Sequence, residues 1–98
     1  MRCIKRVVRD IVAIRKVSSI WLFNKKSDLS GKTSSFKLCV VIAGNDKLEA
    51  EKELYLGINC DVPFDLVIYT KSEWDSAKNS VESFAYSVVT KGALLYEG

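Results

Sequence analysis

DLVIYTKSEWDSAKNSVESFAYSVVTKGALLYEG, from Asp65 to Gly98, sets out the second half of the fold. Phe64 to Thr70, just after Pro63, is rich in Val, Ile and Tyr, side chains that suit a pleated, half-buried surface, and predicts a strand. Thr70 or Ser72 then supplies the hydroxyl that caps a short helix. A second helix is predicted from about Val81 to Thr90, with Val81, Phe84, Ala85 and Val88 as its buried stripe. Gly92 stops it ahead of a closing strand, Ala93 to Tyr96.

Working outward toward residue 1, Phe36 to Ala43 is apolar on both alternating faces, which predicts a strand in the centre of the sheet. Gly44 and Asn45 end it, and Asp46 is placed to N-cap a charged helix from Lys47 to about Tyr55, stopped by Gly57. Ser18 to Phe23 predicts a short strand. Asn24 to Ser35, rich in Lys, Ser, Gly and Thr, reads as an exposed loop. In Arg2 to Lys16, Ile4, Val7, Val8, Ile11 and Ile14 recur at helical spacing, opposite Arg2, Lys5, Arg6, Arg9 and Lys16. Their β-branched side chains lower helix propensity, so packing must hold this helix. The element order, α-β-β-α-β-α-α-β, predicts an α+β fold: a mixed sheet of three main strands plus a short C-terminal strand, covered by helices.

The 98 residues suit a single domain spanning 1–98, and 48% apolar with 28% charged is the balance of a globular protein. Residues 1–37 carry ten Lys or Arg against Asp10 and Asp28, net +8, and residues 38–98 are net −5. That asymmetry points to an anionic partner for the first third. With no histidine, Ser-His-Asp and Cys-His mechanisms within the chain are excluded. Cys3, Cys39 and Cys60 show no CxxC pair and read as reduced thiols. The longest apolar runs are far shorter than the roughly 20 residues of a membrane helix, and no signal-peptide block follows the N-terminal basic residues. A cytoplasmic, prokaryotic type of protein without membrane association is expected.

Several pieces fall in a recognisable order. They are a helix leading into IWLF at Ile20 to Phe23, Asp65 on a strand, Thr70 with Glu73 and Trp74, Ser83 with Phe84, and Gly92 with Leu95, Tyr96 and Glu97. Over nearly the whole chain this resembles the minimal nucleotidyltransferases of the DNA polymerase beta-like superfamily. In that family a Gly-Ser pair follows the first strand, a loop of about ten residues comes next, and Asp-x-Asp lies on the following strand, with a third aspartate further on. Glycine admits the triphosphate, and strand residues i and i+2 point two carboxylates at one magnesium pair.

The chain departs from that pattern where the chemistry lies. Asn24 and Lys25 stand at the Gly-Ser position, and the loop is one residue shorter than usual. Ser35, Phe36, Lys37 and Leu38 stand at Asp-x-Asp-Leu. Of the three metal-ligand positions only Asp65 keeps its carboxylate, and one carboxylate does not hold two magnesium ions. The resemblance therefore implies a nucleotidyltransferase-like pseudoenzyme with no intact catalytic residues and no bound metal or other cofactor. Two readings of Lys37 stand: its ammonium neutralises Asp65 in place of the metal, or it reaches into solvent. Asn24, Lys25, Lys26 and Lys32 are candidates for phosphate binding.

The function expected is a binding or protein-interaction module of a toxin-antitoxin type, whose partner, by family analogy, is a small helical HEPN-like protein. A nucleic acid lying along the basic first helix is the other partner considered. The alternatives are metal-independent nucleotide binding, or transfer of a nucleoside monophosphate with magnesium and a nucleoside triphosphate at a non-standard site recruiting Asp28 or Asp46. Most of Trp21, Phe23, Trp74, Phe84, Tyr86 and Tyr96 are expected in the core, with Trp74 a candidate for an exposed interface.

Overall fold

In the computed structural model, which describes residues 2–98, a four-stranded mixed sheet of order β3-β2-β1-β4 is covered by two helices on each face. The elements are α1 (Arg2–Ile14), β1 (Val17–Ser27), β2 (Thr33–Ile42), α2 (Lys47–Gly57), β3 (Phe64–Thr70), α3 (Lys71–Ala77), α4 (Phe84–Lys91) and β4 (Ala93–Glu97). β2 runs antiparallel to β1 and parallel to β3, and β4 is antiparallel to β1. The side chain of Arg2, expected on the basic stripe, lies outside the described residues.

β2 sits in the interior of the sheet, as its composition predicts. Phe36, Leu38, Val40 and Ile42 pack beneath Ile4, Val7 and Ile11 of α1 and Ala50 and Leu54 of α2. On the opposite face Cys39 and Val41 meet Trp74 of α3 and Ala85 and Val88 of α4. Trp74, expected as a possible exposed interface, is 3% exposed and lies with its ring 5.9 Å from Trp21 and 5.3 Å from Tyr69. Truncating a buried side chain such as Leu38 costs about 2–5 kcal/mol.

The segment expected as a loop from Asn24 to Ser35 is instead the far half of a β-hairpin. β1 continues to Ser27 and β2 begins at Thr33. Polar composition argued against strand because such residues cannot fill a core, but a two-stranded ribbon beyond the core needs none. Its turn is held by Asp28, whose Oδ1 accepts hydrogen bonds from the Ser30 and Lys32 N–H groups and the Ser30 hydroxyl. Gly31 adopts φ 89°, the left-handed conformation, in the turn between Ser27 and Thr33, where the Asp28 N–H also donates to the Lys32 carbonyl. The Ser30 hydroxyl, ahead of the backbone donors, lowers the Asp28 pKa below its ordinary value.

Two helix starts differ from expectation, while Gly92 ends α4 as expected. α4 begins at Phe84, where the Ser83 hydroxyl accepts from the Tyr86 N–H. Val81 therefore lies outside it, 72% exposed, and only Ala85 and Val88 of the expected stripe are buried. Gly92 ends α4 with φ −81°, so it is needed for space and not for a left-handed turn. A Cβ there would lie 2.6 Å from the Val88 carbonyl oxygen and 2.9 Å from that of Leu22. Asp46 does occupy the N-cap of α2, yet its side chain makes no cap hydrogen bond. Both of its oxygens instead accept from Arg15 Nη2, at 2.9 and 3.0 Å, and Arg15 Nη1 lies 3.5 Å from Glu53. That guanidinium ties the end of α1 to α2.

Of the two hydroxyls expected as caps, Thr70 caps α3 and Ser72 lies within it; the cap is a reciprocal box, in which the Thr70 hydroxyl accepts from the Glu73 N–H and its own N–H donates to the Glu73 carboxylate. Thr70→Ala should cost about 1 kcal/mol, read as a lower urea midpoint with an unchanged slope. Acid should also destabilise the fold. The Arg15 hydrogen bond depresses the Asp46 pKa, and the Thr70 N–H, followed by Lys47, depresses that of Glu73. Carboxylates with depressed folded pKa values stabilise above their unfolded pKa and lose that contribution as pH falls through the folded value. The melting temperature should hold from neutrality to about pH 5 and drop below about pH 4.5, less steeply in Asp46→Asn, as followed by circular dichroism.

Candidate functional site

Where β2 leaves the core, strand register brings three polar residues into one row across the sheet. Asn24 of β1 pairs with Lys37, and Lys37 pairs with Asp65 of β3. A bulge at Phe23 makes this possible. Leu22 pairs with Leu38 but Asn24 with Lys37, so β1 carries one extra residue there. Without it, period-2 alternation would turn Asn24 to the α1–α2 face. One step further along, Lys26 pairs with Ser35 on the same face as Asn24 and Lys37.

These residues line a recess of about 60 Å³: Asn24, Lys26, Ser35, Lys37 and Asp65, with Phe36 and Pro63. Of the sequence candidates, Lys25 and Lys32 are not in its lining. Lys25 pairs with Phe36 and so points to the other face, and Lys32 closes the hairpin turn. The recess is far smaller than the roughly 300–1,000 Å³ of small-molecule pockets, so a nucleotide would rest over it and not within it.

The expected neutralisation of Asp65 by Lys37 is not formed. Both side chains are exposed, and no ion pair joins them among the described residues. An exposed lysine gains little Coulomb energy from a neighbour in water and keeps its rotamer freedom by staying solvated. Asp28 and Asp46, the other candidate carboxylates, are held by the hairpin turn and by Arg15 and do not line the recess. Among the described residues no group of three or more His, Cys, Asp or Glu side chains is placed to hold a metal ion.

A larger depression, about 900 Å³, lies elsewhere, between α1 and the α2–β3 connection. Lys5, Arg6 and Arg9 form one wall and Asn59 to Val62 the other. Sequence reasoning singled out the helix face but missed the opposing loop, because nothing local to Asn59–Val62 says which helix it faces. Cys3 and Cys60 line this cleft as well. No helix among the described residues is long and apolar enough to cross a membrane.

The three cysteines are free thiols in different settings. Cys3 and Cys60 are half-buried, whereas Cys39 is fully buried under α3 and α4, and burial pushes its thiol pKa up to about 12. A neutral alkylating reagent should therefore modify two thiols per native chain, with Cys39 reacting only after denaturant is added, as counted by intact mass. Compared with known proteins, the chain matches no family model, no curated sequence and no solved structure.

Proposed function

We propose that this chain is a nucleotidyltransferase-type domain that has lost catalysis and works as a binding module, with another protein as its principal partner. The observation that carries this is the row at the recess: Lys37 stands beside Asp65 in strand register, with Ser35 two residues away on the same face. Two-metal phosphoryl chemistry needs carboxylates at those two positions to share the cations with Asp65. An ammonium there repels a divalent ion, and a hydroxyl adds no charge. The strand arrangement supports the type of fold: an antiparallel first pair, then a parallel strand reached through a crossover helix.

Support for a protein partner comes from the surface. Leu48 and Leu56 on α2 are 84% and 85% exposed, and Phe84, Val89 and Leu94 lie partly bare on α4 and β4. Resemblance to the minimal nucleotidyltransferases makes a small helical protein of the HEPN type the proposed partner, in a toxin-antitoxin type of pair.

Incubated with each labelled nucleoside triphosphate, magnesium and protein or RNA acceptors, the chain should transfer no label. The double substitution Ser35→Asp with Lys37→Asp should create a magnesium site with Asp65, seen as a magnesium-dependent rise in melting temperature absent from the parent. Magnesium-dependent labelling by the unaltered chain, abolished by Asp65→Asn, would overturn the proposal.

A further inference from the structure

We infer that the cleft between α1 and the α2–β3 connection binds a phosphate-bearing ligand of nucleotide size, with Lys5, Arg6 and Arg9 as its phosphate contacts. This does not depend on the nucleotidyltransferase reading. The cleft is walled by α1 and the Asn59–Val62 loop, and Cys3 and Cys60 in its lining pack against the α1–α2 side of the sheet, whereas Lys37 and Asp65 open on the other side.

The basic face of α1 carries charge that the fold does not use. Lys5 and Arg9 are spaced i,i+4 and Arg6 and Arg9 i,i+3, so the three heads share one helix face. The ion pairs of the described residues employ Arg15, Lys47, Lys71 and Lys78 and none of these three. Arg6 and Asp10 have the spacing of a helical salt bridge but do not form one, and among the described residues no ion pair includes Asp61 across the cleft. Like charges at these spacings repel one another, and an anion bound between them relieves that repulsion. Two guanidinium groups at one mouth match phosphate oxygens, which accept paired hydrogen bonds from an arginine fork.

The size of the cleft and its opposite wall also suit such a ligand. About 900 Å³ is the volume of a pocket for a nucleotide and far more than inorganic phosphate fills. The loop wall presents the Asn59 amide and the Asp61 carboxylate, acceptors for ligand N–H or O–H groups such as a sugar hydroxyl or a base amine. A nucleic-acid track is disfavoured because the basic face does not continue: Asp61 interrupts it on the loop, and the neighbouring α2 carries Glu49, Glu51 and Glu53.

The test is calorimetry of the whole chain with ATP in EDTA at low salt. Saturable one-to-one binding is expected, absent for adenosine. Arg6→Ala with Arg9→Ala should weaken it roughly tenfold or more, as expected for losing charge-assisted hydrogen bonds. Lys26→Ala with Lys37→Ala, on the other face, should leave it unchanged. ATP should also slow alkylation of Cys3 and Cys60 in the unaltered chain, a readout that needs no variant to fold. Absence of both binding and thiol protection overturns the inference, as does binding that survives loss of Arg6 and Arg9 or is lost with Lys26 and Lys37. An oligonucleotide that binds more tightly than ATP and covers several phosphates would make the cleft part of a nucleic-acid surface and overturn the small-ligand assignment.

Discussion

The structure depends on one strand being buried from both sides. From Phe36 to Ile42, β2 pairs with β1 along one edge and β3 along the other, and every side chain from Leu38 to Ile42 is shielded from water. A strand with two apolar faces must be covered twice, so helices are required on both faces of the sheet. α1 is recruited to one face although its own propensity is poor. α3 and α4, too short to be stable alone, are held on the other by Trp74, Ala85 and Val88.

The edges of the sheet are managed by local means. β3 is an outer strand, and the hydroxyl of Tyr55 on α2 accepts the Leu66 N–H at 2.7 Å, while the Tyr55 ring stacks on Phe64. The hydroxyl thereby satisfies one backbone donor on that strand, and the helix partly covers it. β4, on the other edge, is only five residues long, and short edge strands are poor templates for further pairing. The Arg15 guanidinium performs a comparable task between helices, joining α1 to Asp46 and Glu53 of α2 and displacing the cap that Asp46 would otherwise supply.

Polar chemistry gathers where the buried strand runs out. Past Leu38, the ribbon of β1 and β2 carries Asn24, Lys26, Ser35 and Lys37 to the surface next to Asp65. On the other side of the molecule, α1 must face outward somewhere, and its Lys5, Arg6 and Arg9 do so across from the connection into β3. Two positively charged surfaces of different size thus arise from the same architecture. The small one lies at the end of the sheet and the large one beside a helix.

The sequence by itself determined the parts governed by local pattern. The two-faced apolar run of β2, the 3.6-residue period of α1 and a hydroxyl cap at Thr70 or Ser72 are each written within a few neighbouring residues, and the order of the elements follows from such stretches. What the tertiary structure alone decided involves residues far apart in the chain. The polar stretch Asn24–Ser35 became a hairpin because β1 and β2, already paired in the core, extend their ladder out to Ser27 and Thr33. The bulge at Phe23 chose which face Asn24 and Lys26 share with Lys37. Arg15 diverted Asp46 from its capping role across 31 positions, and the cleft exists only because folding sets Asn59–Val62 against α1. Strand register, side-chain competition for a charge and the meeting of a loop with a helix are long-range outcomes, and no periodicity in the chain records them.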